Sequence, residues 1–386
     1  MAAKRWLGLV AAVKQVSTIT ISGTVNPGDT FTVTCGTAAI TSTASSSNTT
    51  TTASELLTAL NTQGKPSQFN DMLWSSASNV VTATGVTAGQ PFVITAGTSG
   101  SATVNVATTT AATGPNFANV AANWSGGTLP TTADTITVEA NSPDILYGLT
   151  SNTDVIAKFT VEAGFTGRIG LPERNARGYR EYRDQHLSMN ITALEVGSGP
   201  GRGSSLVKID LKSTGTAVSV FSTGQRESEE EDPLQLKGGT AATAIISSGT
   251  VSISGRADEA SAFTSISVGS DATVTCGVTC THTSVTTRGT TTLAAAVTNL
   301  VVQGGQCICY GQVTNANITA GSFVYRASDT IADLDVGPGV LDCSDIRART
   351  ISALELRPGA QVIDPYKTIT ATAITIGTNV KGLTVQ

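Results

Sequence analysis

Few residues in this chain have the types and spacing for chemistry. Cys276, Cys280 and His282 fall close together, and Cys307 and Cys309 follow. Thiolates and imidazole ligate zinc, but CxxxC plus CxC lacks the CxxC knuckle spacing. Val274, Cys276, Val278, Cys280 and His282 share one strand parity, which reads them as small, inward-facing core residues. Cys35 and Cys343 stand alone in the sequence. Free thiols of this kind fit assembly in a reducing cytoplasm. Asp333 with Asp335, and Asp342 with Asp345, are the carboxylate pairs that glycan cleavage would need. Both lie beside Gly turns, where Asp is a common turn residue. His186 and His282 are the only histidines, and no Walker loop, dinucleotide glycine fingerprint or G-x-S-x-G motif occurs. No catalytic residue, metal ligand or cofactor is assigned, and the chain reads as non-enzymatic.

Charge is concentrated in two segments. Leu171–His186 (LPERNARGYREYRDQH) spaces Arg174, Arg177, Arg180 and Arg183 three apart, with Tyr179 and Tyr182 between them. This spacing fits one face of a short helix or an extended loop. Phosphate contacts with base stacking are one use for Arg and Tyr, but Glu173, Glu181 and Asp184 dilute the positive charge. Arg226–Asp232 (RESEEED) is the acidic counterpart, carrying Glu229, Glu230 and Glu231. Arg and Tyr are enriched at interfaces for their forked donors and amphipathic area. The basic loop is therefore expected to meet the acidic loop of a neighbouring subunit, or a charged patch on another partner.

The elements that carry these loops follow from composition. Of 386 residues only 13% are charged and 5% aromatic, 39 are Gly, and about one in six is Thr. Thr, Ser and Val favour strands and turns over helices. A net charge of −5 argues against a generic nucleic-acid surface, and no run of about 20 apolar residues exists to span a membrane.

Met1–Val16 (MAAKRWLGLVAAVKQV) is too short in its apolar run, and too soon interrupted by Lys14, for a typical secretion signal. It reads as an arm, residues 1–16, that packs Trp6, Leu7, Leu9 and Val10 on its own or another subunit. Residues 17–110 read as a small α+β anchoring module. Its one helix would start at a capping box of Thr52 and Glu55, after a Ser/Thr-rich loop, with Leu56, Leu57 and Leu60 on one face. Residues 111–118 form a linker.

From residue 119 to 386 a short alternating run followed by Gly recurs, with the charged segments near 171–186 and 226–233 as insertions. From Gly269 through Gly289, Gly305, Gly321, Gly337 and Gly359 to Gly377 the spacings are 20, 16, 16, 16, 22 and 18. A period near 20 with one Gly turn per unit marks a stacked solenoid. The fold class is mainly β: a small α+β module followed by a parallel β-helix, or β-solenoid, of about 13 coils and about 60 Å.

Four stretches carry a family resemblance. Thr18–Thr24, Thr52–Asn61 and Val80–Gly85 follow one another as in small modules of tailed-phage virion proteins, and Asn123-Trp124-Ser125-Gly126-Gly127 with Pro130 resembles the first rungs of β-helical surface and phage proteins. Most of the chain resembles virion proteins with a β-solenoid body. That resemblance implies a trimeric virion component assembled in the host cytoplasm, binding the major capsid protein or other virion proteins and neither nucleic acid nor membrane. It implies a capsid decoration, cement or head-fibre role, or alternatively a tail fibre or spike that recognises host glycans.

Overall fold

The computed structural model describes residues 2–149, 154–199, 201, 203, 206–212, 215–225 and 231–377. The described residues are 53% strand and 6% helix, and their body is a parallel β-solenoid of about 11 turns. Inward residues of each turn stack in register on those of the next. One ladder runs Ile136, Phe159, Leu194, Val218, Ala244, Ile266, Val285, Leu300, Ala316, Leu334, Leu354, Ile374. Two residues further along every strand a second ladder runs from Val138 to Ile376. Its one polar member, Thr287, is fully buried and shares a 2.7 Å hydrogen bond with Thr291. Twelve rungs at about 4.8 Å make a rod of about 53 Å. The expected 13 coils fall to about 11 because the early turns are long. Phe159 to Leu194 takes 35 residues, since the charged segment 171–186 is inserted there, whereas Leu300 to Ala316 takes 16.

The start of the N-terminal arm belongs to this rod, while Val13, Gln15 and Val16 bond to the α+β module. β1 (Ala3–Arg5) pairs in parallel with β9 (Thr135–Val138), placing Lys4 over Ile136 at the end of the first ladder. Lys4 Nζ donates to Ser125 O and Thr128 O at 3.4 and 3.3 Å, so the terminal rung ends in a bonded charge. Trp6 is 1% exposed and meets Trp124 edge-on at 4.9 Å, and its indole N–H donates to Pro143 O at 2.9 Å.

Between β1 and β9 the chain leaves the rod to make the α+β module. β2 (Val16–Ser22), β3 (Thr30–Cys35), β4 (Ala38–Thr43), α1 (Thr49–Leu60), β5 (Met72–Ala77), β6 (Val80–Gly85), β7 (Ile94–Thr98) and β8 (Thr103–Thr110) follow in order. They form two antiparallel sheets, β5-β6-β2-β8 and β4-β3-β7. α1 packs Ala53, Leu56 and Leu60 into a core with Ile19, Phe31, Phe69 and Val81. The expected capping box does not form. Asn48 caps α1, accepting from Thr50 N and Thr51 N, and Glu55 instead bonds Ser45. Asn is among the strongest N-cap residues, so the helix begins inside the run that composition marks as a loop. Thr52 sits one turn in, its hydroxyl bonded back to Asn48 O.

Trp6 therefore closes the chain's own core. Trp6→Ala should cost about 3–5 kcal/mol in denaturant unfolding, the range for emptying a buried aromatic site. A loss below about 1 kcal/mol would mean that the arm is not part of the body.

Candidate functional site: the clamp between module and rod

The charged segment 171–186 folds as a hairpin on the side of the rod. Arg174 and Arg180 form an antiparallel bridge, and Asn175 N donates to Tyr179 O at 2.8 Å. The hairpin reaches across to the α+β module, on the same chain. Tyr179 O–H donates to Asp71 Oδ2, which also accepts from Gln90 Nε2 at 3.1 Å. Arg177 Nε lies 2.8 Å from Asp71 Oδ1, an ion contact without hydrogen-bond alignment. Asp71 is 5% exposed. Desolvating that carboxylate is offset because a guanidinium and two donors converge on it.

Arg183 holds the other half of the clamp. It forms a bidentate pair with Glu181, Nε to Oε1 at 2.7 Å and Nη2 to Oε2 at 2.6 Å, and donates from Nη1 to Pro91 O at 2.9 Å. Its guanidinium lies 5.6 Å from the Tyr147 ring centre and 5.3 Å from that of Tyr182, close enough for cation–π attraction. Both partners of the ion pair are nearly buried, at 6% and 1% exposure of the side chain. Burial works to raise the Glu181 carboxyl, but the bonds from Arg183 outweigh it and hold the group below the usual carboxylate range. Arg183 is correspondingly held more firmly protonated despite the burial. Burial and the accepting Asp71 keep Tyr179 protonated far above its ordinary range.

Tyr182 stacks on Tyr179 at 5.9 Å and packs into the module's core. The module makes room for it with Gly36, at φ +60°, where a Cβ would fall 2.7 Å from Tyr182 Cβ. Both the left-handed backbone and the close approach require glycine.

The expected interface residues thus divide. Arg177, Tyr179, Tyr182 and Arg183 grip the module in cis, and Arg180 pairs with Glu173 at 2.9 Å inside the hairpin. Arg174 lies in the hairpin bridge. Trp6 is internal, Leu7 is half-buried, and Leu9 is 72% exposed. Glu231 meets the basic segment within the chain, accepting from Glu173 N at 2.9 Å and from Lys208 Nζ at 2.5 Å. Glu229 and Glu230 lie outside the described residues. The residues that sequence reasoning missed are Asp71, Gly36 and Pro91, which carry no local signal of pairing.

The thiols and the carboxylate pairs have structural surroundings. All six cysteines are free and buried. Cys276, Cys307 and Cys309 occupy inward ladders: Val251, Val274, Thr291, Cys307, Phe323 and Leu341 form one, and Ile253, Cys276, Leu293, Cys309 and Tyr325 its neighbour. A corner at Gly277–Thr279 breaks the strand parity, so Val278 is 66% exposed. Burial pushes the Cys343 thiol up to about 12. Asp335 pairs with Arg357 at 2.8 Å, Asp342 with Arg326 at 3.4 Å, and Asp345 with Arg347 at 2.6 Å and with Arg349.

Arg183→Met should cost about 3–5 kcal/mol, because it strands Glu181 in a buried place. Arg183→Met with Glu181→Leu should recover most of that loss in denaturant unfolding. The Glu181 contribution is complete above its free value near pH 4.3 and is lost as pH falls below it. No recovery in the double variant would show that the loss comes from the other contacts of Arg183, with Pro91, Tyr147 and Tyr182. The chain matches no protein-family model, no curated protein and no solved structure.

Proposed function

We propose that this chain is a non-enzymatic structural protein of a tailed-phage particle, most specifically a capsid decoration, cement or head-fibre protein that binds the assembled shell. The observation that carries the reading is the clamp. A stacked rod and a compact module are joined by buried ionic and aromatic contacts in place of a free tether, which suits a protein that holds a fixed distance between two surfaces. In this reading the chain is a homotrimer, its module and the exposed Leu9 face the major capsid protein or another virion protein, and the rod projects or bridges neighbouring capsomers. A partner that binds only the closed shell stabilises it by mass action, about 2.7 kcal/mol at a concentration 100 times Kd.

A second reading has its own support. Tyr310 is 55% exposed on an edge of the rod, and one rung away Arg326 pairs with Asp342 at 3.4 Å. An aromatic plane beside a donor–acceptor pair is chemistry that suits a sugar ring, as in a tail fibre or spike.

Immunogold labelling of phage particles with an antibody raised against the chain separates these readings. Gold over the head is the expected result. Gold over the tail, with binding on a glycan array lost in Tyr310→Ala, would favour the receptor reading. Particles that carry no label would overturn both.

A further inference from the structure

The hairpin is fastened to the rod through a buried polar cluster. Its N-terminal leg is held at Glu173, whose N–H donates to Glu231 Oε1 at 2.9 Å and whose Oε1 lies 3.5 Å from Arg256 Nη1. Its C-terminal leg is held at Gln185 and His186. Gln185 Oε1 accepts from Lys208 Nζ at 3.3 Å, and Lys208, 2% exposed, also bonds Glu231. His186 is 6% exposed. Its Nε2 lies 3.4 Å from Glu259 Oε1 and has no hydrogen-bond partner among the described residues.

The charged groups around this ring come from several elements. The rod supplies Lys208, Lys237, Arg256, Asp258, Glu259 and Glu231. Nearby Asp210 is engaged by Ser188 at 2.9 Å. The hairpin itself holds Glu173 against Arg180 and Glu181 against Arg183, and the module supplies Asp71, already bonded to Tyr179. The cations nearest the imidazole thus outweigh its nearest carboxylate, Glu259, which also accepts from Arg256 N at 3.3 Å. Burial, with Lys237, Lys208 and Arg256, lowers His186 to about 3, against about 6.5 for an imidazole in water.

We propose that His186 is an acid-sensitive release for the clamp. Protonated, the ring no longer stays among Lys208, Lys237 and Arg256. The hairpin lifts, and the contacts of Tyr179 and Arg177 with Asp71 and of Arg183 with Pro91 go with it. The module is then freed while the solenoid stays folded. The lifted state binds one more proton than the closed state between about pH 3 and pH 6.5, so the closed state is fully favoured above that window and loses ground as pH falls through it. Glu259 acts in the opposite sense. Burial raises its carboxyl in the closed state, so its protonation favours closure.

Hydrogen exchange with mass spectrometry on the full chain tests this, with exposure times scaled for the intrinsic rate at each pH. Between pH 7.0 and pH 5.0 the opening equilibrium of peptides covering residues 171–185 should rise by up to about 25-fold, reduced by the opposition of Glu259. Ladder peptides around Leu300–Val302 should not change. His186→Asn should hold the hairpin rise below about twofold, and Glu259→Gln, which keeps His186, should enlarge it. A rise below about twofold in the native chain overturns the proposal, as does an equal rise in His186→Asn. Parallel opening of the ladder peptides, or no enlargement in Glu259→Gln, also counts against it.

Discussion

An inward side chain in this rod finds its main neighbours one turn away, in the equivalent place, and only secondarily along its own strand. Phe159 sits between Ile136 and Leu194, and Leu334 between Ala316 and Leu354. That constraint explains the composition. Long helices and many aromatics are unnecessary when each turn supplies half of the next turn's core. Small residues such as Cys307, Thr291 and Ala316 are admissible because neighbouring rungs compensate in volume. The cysteines are therefore explained by position: a thiol between Leu293 and Tyr325, as Cys309 is, packs as a small apolar group.

Stacking alone would leave the α+β module on two strands of chain, one leaving β1 and one entering β9. The hairpin removes that freedom. It is inserted in one unusually long turn and ends on a carboxylate in the module, so the same low-charge background that makes the solenoid readable makes its few charges decisive. Asp71, Glu181 and Arg183 are buried, and burying them is tolerable only because each has its partners in place. A junction of this kind is geometrically specific, and it is also the place where pH has leverage, because the imidazole that anchors it is kept neutral by its surroundings.

The solenoid was legible in the sequence because its signal is local and repeated: an alternating run, then Gly, many times over. The module's helix was legible from Leu56, Leu57 and Leu60, but not its start, since four hydroxyl residues from Thr49 to Thr52 obscure the better cap at Asn48. The hairpin stood out by charge and spacing, yet its destination did not. Tyr179 and Asp71 are 108 residues apart, and nothing local marks a single Asp as the acceptor. Trp6 was similarly visible as an apolar residue seeking burial, while its partner Trp124 belonged to a motif read as the first rung. In both cases the pairing depends on long-range closure, which local pattern does not encode.

Module and rod form one body at neutral pH. Spin labels at Thr58→Cys on the module and Asn299→Cys on the rod would report it directly, since the native thiols are all buried. Pulsed electron–electron distance measurement should give one narrow distribution at pH 7, and Asp71→Ala with Arg183→Ala should broaden it. A broad distribution in the otherwise native chain at pH 7 would show that module and rod move independently.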